Sequence, residues 1–194
     1  QPDTIHGDTQ SQSEAVFGLA YLLGIKLMPR IRGIKHLKLY RISKEDHFKH
    51  IDTLFKDTIK WELIESCLPD MLRIALSVKA GRINASTILR RLGTYSRKNK
   101  LYLALRELGR VVRTVFLLQY IAEAEIREMI QAATCKSEEF NDFLQWVMFG
   151  NDGLIAENVR HEQQKIIKYN HLVANMIILY NVVTMTKALG ELAE

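Results

Sequence analysis

Hydrophobic positions recur at helical spacing over most of this chain and alternate in only two short places. Val16, Leu19, Ala20 and Leu23 follow one helical face, and Gly24 supplies a stop. The same spacing predicts further helices over residues 44–56, 61–79, 84–92, 98–121, 123–134, 137–149 and 155–192. The pattern therefore predicts a fold that is mainly α.

The two alternating segments predict short strands. Across residues 25–32, Leu27 is expected to face one way and Met28 the other, and Pro29 ends the strand or confines it to a sheet edge. Residues 37–42 predict a second extended segment. A small β remnant beside a long helical block is expected to be the tail of an α/β core whose earlier strands lie upstream of Gln1.

The longest apolar run, residues 172–185, is interrupted by Asn175 and Asn181, which favours a buried helix over a membrane span. Cys67 and Cys135 have no metal-binding or redox spacing, so they favour reduced thiols in a cytoplasmic protein. No membrane partner is expected. The six histidines form no ligand set either, so any catalysis has to come from separated carboxylates.

Charge is concentrated in one segment. Between Lys79 and Arg113 there are ten Lys and Arg residues and one acid, Glu107, whereas the rest of the chain has seventeen basic and twenty-one acidic side chains. This asymmetry indicates a polyanionic partner, although a solvated cationic face is the alternative. The candidate DNA-binding residues in this segment are Arg90, Arg91, Arg97, Lys98, Lys100, Arg106, Arg110 and Arg113.

The last three arginines have the i, i+4, i+7 spacing of one helical face. Arg30 and Arg32 share one face of the predicted strand and are weaker candidates for phosphate contact, because arginines at strand ends also pair with acids.

Two acids stand at the start of predicted helices. Ser11 and Glu14 have the spacing of a capping box, which leaves Asp8 just outside the helix as a turn-former or a ligand. Ser137 is a predicted N-cap that would place Glu138 in the first turn, where the helix dipole favours an acid in any case. Neither acid identifies a site by itself.

Four stretches together resemble the C-terminal part of the catalytic domain of transposases of the Tn3 family, from bacterial replicative transposons. They are GDTQSQSEAVFGLAYLLG, PRIRGIKHLKLYR, IALSVKAGRINASTILRRLGTYSRKNKLYLALRELGRVVRTVFLL and CKSEEFNDFLQWVMFGNDG. The resemblance implies an RNase H-like fold with a helical insertion. It implies a partial core over 1–33, the insertion over 34–134, and the catalytic Glu helix with the C-terminal helix over 135–194.

The resemblance also implies three catalytic acids, Asp, Asp and Glu. The family's Asp-Thr pair matches Asp8-Thr9, and its Lys-Gly-Glu matches Lys136-Ser137-Glu138, with Ser in place of Gly. Asp8 would then face metal rather than backbone, and with Glu138 it would hold two Mg²⁺ ions. The first Asp is expected upstream, which leaves the site incomplete and this fragment inactive alone.

Water would cleave transposon ends, and the freed 3′-hydroxyl would attack target DNA. The implied partners are the terminal inverted repeats, target DNA and further copies of the full-length protein. A non-catalytic helical DNA-binding or assembly module is the alternative.

Overall fold

A computed structural model describes residues 2–33, 35, 37–94, 99–148 and 153–193 of the chain. The described residues are mostly helical with few short strands, as predicted. The chain divides into two compact units, Gln1–Thr134 and Cys135–Glu194.

The first unit opens with a parallel βαβ arrangement. Strand β1 (Thr4–Gly7) pairs with β2 (Lys26–Pro29), and helix α1 (Glu14–Leu23) connects them after a 3-10 turn at Thr9–Gln12. Gly7 lies opposite Pro29. Because the two strands are parallel, the residues that follow Gly7 and Pro29 emerge at the same edge of the sheet.

A second parallel pair and most of the helices complete the unit. Strand β3 (Leu39–Arg41) pairs with β4 (Phe55–Thr58), with a register shift between Leu39 and Tyr40. The helices that follow are α2 (Trp61–Lys79), α3 (Ala85–Thr94), α4 (Lys100–Ala122) and α5 (Ala124–Val147). The predicted helices over 61–79, 84–92 and 98–121 are confirmed within a few residues by α2, α3 and α4.

Helix α1 is buried on two sides. Leu19 belongs to an apolar cluster that includes Met71 of α2 and Leu105 of α4. Phe17 belongs to another, whose largest buried members include Met28 and Leu117. An apolar helix with a cluster on each side is typical of the centre of a domain.

The backbones of α1 and α4 touch at two glycines. A Cβ atom on Gly109 would lie 1.6 Å from the carbonyl oxygen of Glu14, and one on Gly18 would lie 2.3 Å from the carbonyl oxygen of Leu105. Neither approach is possible for a residue with a side chain, so the glycines set the distance between the helices.

The second unit contains the end of α5 and helix α6 (Arg160–Ala193). Asn170 donates to the carbonyl oxygen of Leu144 (2.9 Å), and the rings of Phe140 and His171 meet edge to face. The prediction of a buried helix over residues 172–185 is wrong, because Ala174 is the one buried residue within Arg160–Ala193. By length and composition alone, α6 could cross a membrane.

Two other predictions are wrong. Residues 44–56 contain turns, a single 3-10 turn at Asp52–Leu54 and the start of β4 rather than an α-helix. The Asp46 and Asp52 side chains accept hydrogen bonds from the backbone N–H groups of Ser43 and Phe48, which favours turns. The helices over 123–134 and 137–149 are one helix, α5, because neither of the two residues between them, Cys135 and Lys136, is a proline or glycine that would end a helix.

The predicted strand over 25–32 is present as β2, but its alternation is wrong. Leu27, Met28 and Pro29 are all buried, since β2 is covered on both faces. The extended segment at 37–42 is confirmed by β3. Strands β1 and β4 were not predicted.

Candidate functional site

Asp8 directly follows the carboxyl end of β1 and is exposed. Its Oδ1 atom accepts a hydrogen bond from the backbone N–H of Gln10 (3.0 Å), so Asp8 is the N-cap of the 3-10 turn. The expectation that Asp8 turns away from the backbone is therefore wrong for this oxygen. Among the described residues, none donates a hydrogen bond to Oδ2.

The capping box is also a wrong prediction. Ser11 lies inside the 3-10 turn, and Ser13 is the N-cap residue of α1, without a side-chain hydrogen bond. A Cβ atom on Gly7 would lie 2.3 Å from Ser11 Oγ, so the turn folds back closely on the end of β1. The Glu14 side chain points to other partners.

The carboxylate of Glu14 is the centre of a cluster formed by Glu14, Tyr40, Arg106, Arg110 and Arg113, here called the Glu14 cluster. Oε1 accepts from Tyr40 Oη (2.9 Å) and Arg113 Nη2 (2.9 Å). Oε2 accepts from Arg106 Nε (3.2 Å) and Nη2 (2.9 Å), and from Arg110 Nε (3.2 Å). Both oxygens of this carboxylate, only 10% exposed, are thus fully engaged.

Further contacts extend the cluster. Arg113 also donates through Nη1 to the carbonyl oxygen of Gln12 (3.1 Å), the last residue of the 3-10 turn. Arg110 pairs with the buried carboxylate of Glu107, which accepts from the backbone N–H of Lys60 (3.3 Å). The guanidinium of Arg110 also lies over the Tyr40 ring, 4.8 Å from its centroid.

The cluster shifts the acidity of its members. Burial acts to raise the pKa of Glu14, but hydrogen bonds from Tyr40 and Arg106 and the charges of Arg110 and Arg113 outweigh burial and lower it. Burial and the charge of Glu14 raise the pKa of Tyr40. Glu14 is therefore held ionised and Tyr40 neutral.

The structure separates the predicted basic residues into two groups. Arg106, Arg110 and Arg113 share one face of α4, as their spacing predicts, but that face contacts α1. We call them the inner arginines; their contact with DNA stays a prediction. Arg97 and Lys98 lie outside the described residues.

A second group of basic residues is exposed on α3 and at the neighbouring helix ends. Within the part of the chain that the structure describes, these side chains form no ion pair. We call them the outer basic set: Lys79, Arg82, Arg90, Arg91 and Lys100.

Arg30 follows the carboxyl end of β2, and its backbone is close in space to that of Asp8. Its N–H donates to the carbonyl oxygen of Gly7 (2.8 Å), and its own carbonyl oxygen accepts from Gln12 Nε2 (3.2 Å). Arg30 is half-buried, whereas Arg32 is exposed. Asp8 and Arg30 therefore emerge at the same edge of the β1–β2 sheet.

Glu138 is exposed and belongs to the second unit. The prediction that Ser137 caps a helix is wrong, because both residues lie inside α5. The helix dipole therefore gives no reason for an acid at this position.

Exposed carboxylates such as Asp8 and Glu138 have the hard oxygen atoms that Mg²⁺ prefers. Within the described residues, however, no group of three or more His, Cys, Asp or Glu side chains could hold a metal ion. A cavity of about 610 Å³ beside α1 and α4 is lined mainly by apolar side chains, and no carboxylate or histidine is among its lining residues. It is therefore not a candidate catalytic site.

The Glu14 cluster was missed from the sequence. The S-x-x-E spacing pointed to a capping box, and arginine spacing does not distinguish a solvent-facing from a helix-facing stripe. One signal was present: Gly109, between Arg106 and Arg110, is typical of a close helix contact on that face.

Comparison with known proteins gives a consistent result. A family model described as the Tn3 transposase DDE domain matches residues 1–194. The transposase for transposon Tn1546 of Enterococcus faecium is 35% identical over 93% of this chain and 18% of its own length. The transposase for transposon Tn501 of Pseudomonas aeruginosa is 35% identical over 96% of the chain and 19% of its own length. The chain thus spans about a fifth of the length of these relatives.

Proposed function

This chain belongs to the Tn3 transposase DDE domain family, and from that premise we propose that it takes part in metal-dependent cleavage and transfer of DNA strands. The substrates would be the terminal inverted repeats of a transposon and its target DNA, in the bacterial cytoplasm. The observation that carries this proposal is the position of Asp8, an exposed carboxylate at the carboxyl end of a strand in a parallel βαβ arrangement.

Asp8 and Glu138 are the proposed metal-binding acids. Asp8 can serve two roles at once, because Oδ1 caps the turn while Oδ2 accepts no hydrogen bond from the described residues. When bound, two Mg²⁺ ions would stabilise the attacking and leaving oxygens of an in-line displacement. The domain roles follow: residues 1–33 as part of an RNase H-like core, 34–134 as an insertion, and 135–194 as the carrier of Glu138.

Phosphoryl transfer of this kind needs no nucleophilic side chain, because water or a 3′-hydroxyl attacks phosphorus directly. The protein has to position the phosphate and the acids. Arg30, at the same sheet edge as Asp8, is the proposed contact for the scissile phosphate, and Arg32 is a further candidate.

We propose that the outer basic set contacts the DNA that lies further from the site. Five exposed cations without ion pairs among the described residues are free to neutralise phosphates. The inner arginines are already bound to Glu14, so we do not include them in this surface.

The test compares Asp8→Asn with Asp3→Asn in a full-length Tn3 transposase that carries this chain within its DDE domain. Asparagine keeps an oxygen that can cap the turn, so Asp8→Asn removes the charge without removing the cap. We expect Asp8→Asn to abolish Mg²⁺-dependent cleavage at transposon ends with DNA binding retained, and Asp3→Asn to cleave normally. Unchanged cleavage by Asp8→Asn would instead favour the non-catalytic DNA-binding or assembly module.

Glu138 has an equally close control in its exposed neighbour Glu139. Glu138→Gln should abolish cleavage, whereas Glu139→Gln should not. The 194-residue chain alone should not nick DNA, because no three-acid group occurs among its described residues.

A further inference from the structure

Arg113 connects the segment that carries Asp8 to helix α4. One nitrogen of its guanidinium donates to the carbonyl oxygen of Gln12, and another donates to Glu14 Oε1. Gln12 ends the 3-10 turn in which Asp8 Oδ1 accepts a hydrogen bond from the N–H of Gln10, and Glu14 begins α1. A single side chain, 11% exposed, thus contacts both the last residue of the 3-10 turn and the first residue of α1.

The packing of α1 against α4 has a separate origin. The backbones of the two helices are in contact at Gly18 and Gly109, and apolar side chains pack on either side. Burying an ion pair adds little stability on average, because desolvation offsets the attraction between the charges. What the arginine adds beyond helix packing is the hydrogen bond to Gln12.

The remaining members of the cluster hold Glu14 in place. Arg106 and Arg110 donate to Oε2, while Tyr40 donates to Oε1 beside Arg113. Neither Arg106 nor Arg110 donates a hydrogen bond to the 3-10 turn. The cluster therefore contains one cation that donates a hydrogen bond to the turn and two whose hydrogen bonds go only to carboxylates.

We propose that Arg113, fixed in orientation by Glu14, is a positioning residue that holds the 3-10 turn and thereby sets the direction of the Asp8 carboxylate. This inference rests on the proposed function, because the direction of Asp8 matters for catalysis only if Asp8 binds the metal. The geometric part, that Arg113 orders the turn, stands independently.

The test of the geometric part uses amide hydrogen exchange in the 194-residue chain without metal. Gln10 N–H donates to Asp8 Oδ1 and Ser11 N–H to the Asp8 carbonyl oxygen (3.1 Å), so both report on the turn. We expect Arg113→Gln to raise exchange at Gln10 and Ser11 about tenfold, the loss of one hydrogen bond to a charged group, with exchange in α4 unchanged.

Arg106→Gln is the matched control, because it removes a cation from Glu14 without removing a contact to the turn. It should leave exchange at Gln10 and Ser11 unchanged. Equal exchange in the two variants, or no increase in Arg113→Gln, would overturn the proposal. If Arg113→Gln fails to fold, Arg113→Lys decides, since one ammonium group cannot reproduce both guanidinium contacts and should raise exchange at the same two amides.

The catalytic part is tested in a full-length transposase carrying this chain. Arg113→Lys should lower cleavage at saturating DNA about tenfold and raise the Mg²⁺ concentration for half-maximal rate, without changing the DNA concentration for half-maximal rate. A change in DNA affinity alone would contradict positioning. If Asp8→Asn still cleaves DNA, the proposed function fails, whereas the exchange result decides the role of Arg113 in the turn by itself.

Discussion

The inner arginines and the outer basic set come from the same segment, Lys79–Arg113, yet their surroundings are opposite. The inner arginines surround a buried carboxylate, and their side chains are 11% to 37% exposed. The outer set is exposed and makes no ion pair with the described residues. The high positive charge of this segment therefore has two different settings, internal ion pairs with a buried carboxylate and an exposed cationic surface.

The difference depends on what each helix packs against. The arginine face of α4 lies on α1, where Glu14 provides a carboxylate at the point of closest approach. The polar face of α3 is exposed to solvent, while Leu92 on its other face packs in the apolar cluster that contains Leu19. A helix periodicity identifies faces, but the neighbouring element decides which face is buried.

The largest effect is expected when the centre of the Glu14 cluster is removed. Glu14→Ala should destabilise the first unit by about 3–5 kcal/mol, because three guanidinium groups lose their common partner in a largely buried site. Urea unfolding followed by Trp61 fluorescence, in a background with Trp146→Phe, measures the free energy of unfolding. Arg90→Gln on α3 is the control and should change it by less than about 0.5 kcal/mol. Similar losses for both would erase the distinction between the two groups.

Closing the glycine contact should have the next largest effect. Gly109→Ala places a Cβ against the backbone of Glu14 and should destabilise the protein by about 1–3 kcal/mol, since α1 and α4 must move apart. Gly190→Ala in α6, where nothing lies within 4 Å of the added atom, should be neutral or slightly stabilising. A neutral Gly109→Ala would mean that the arginine face of α4 is not pressed against α1.

Only part of the fold could be predicted from the sequence. The helices α2 and α4 could be predicted because they are long and strongly periodic. The periodicity of residues 44–56 predicts a helix that is absent, because short polar side chains there form hydrogen bonds with the backbone. Strand β1 is not predicted because it is four residues long and largely exposed. Each error lies where local side-chain chemistry or a distant partner outweighs periodicity.

The candidate site could be predicted only in part. Asp8 and Glu138 were selected by resemblance, and their catalytic roles stay predictions. The role of Glu14 was assigned to a local cap because its partners Tyr40 and Arg113 are 26 and 99 residues away in sequence. A carboxylate near the start of a helix can be explained as a local cap, so the spacing of residues in the sequence does not reveal a partner that is distant along the chain.

Binding to DNA should separate the two groups directly. Replacing Arg82, Arg90 and Arg91 with Gln should weaken duplex binding and make the dependence of log affinity on log salt shallower by up to about 2.7, roughly 0.9 for each phosphate contact. Arg106→Gln should leave that slope unchanged. Affinity measured at several salt concentrations, beside a melting curve for each variant, checks both. The reverse result, a shallower slope only for Arg106→Gln, would assign DNA to the inner arginines.

The smallest expected effect is a pH dependence. The pKa of Glu14 is lowered from its ordinary value of 4.5 in the folded protein, so Glu14 contributes stability above about pH 4.5 that is lost as the pH falls through the folded pKa. The free energy of unfolding should thus fall less steeply below pH 4.5 in Glu14→Gln than in the unaltered chain. The free energy of unfolding of Glu14→Gln should still fall somewhat below pH 4.5, because a hydrogen bond from Arg41 also lowers the pKa of Asp52. Parallel pH profiles would show that Glu14 is not held ionised.

The central claim is that Asp8 binds a catalytic metal, and exchange of its ligand atom tests this most directly. In a full-length Tn3 transposase carrying this chain, Asp8→Cys offers a thiolate, which Mg²⁺ binds poorly and the softer Mn²⁺ accepts. Cleavage at transposon ends is measured with each metal, with Asp3→Cys as the control. We expect Asp8→Cys to lose cleavage in Mg²⁺ and recover it in Mn²⁺, while Asp3→Cys cleaves in both. Full cleavage by Asp8→Cys in Mg²⁺, or no recovery in Mn²⁺ by a variant that folds and binds DNA, would contradict the claim.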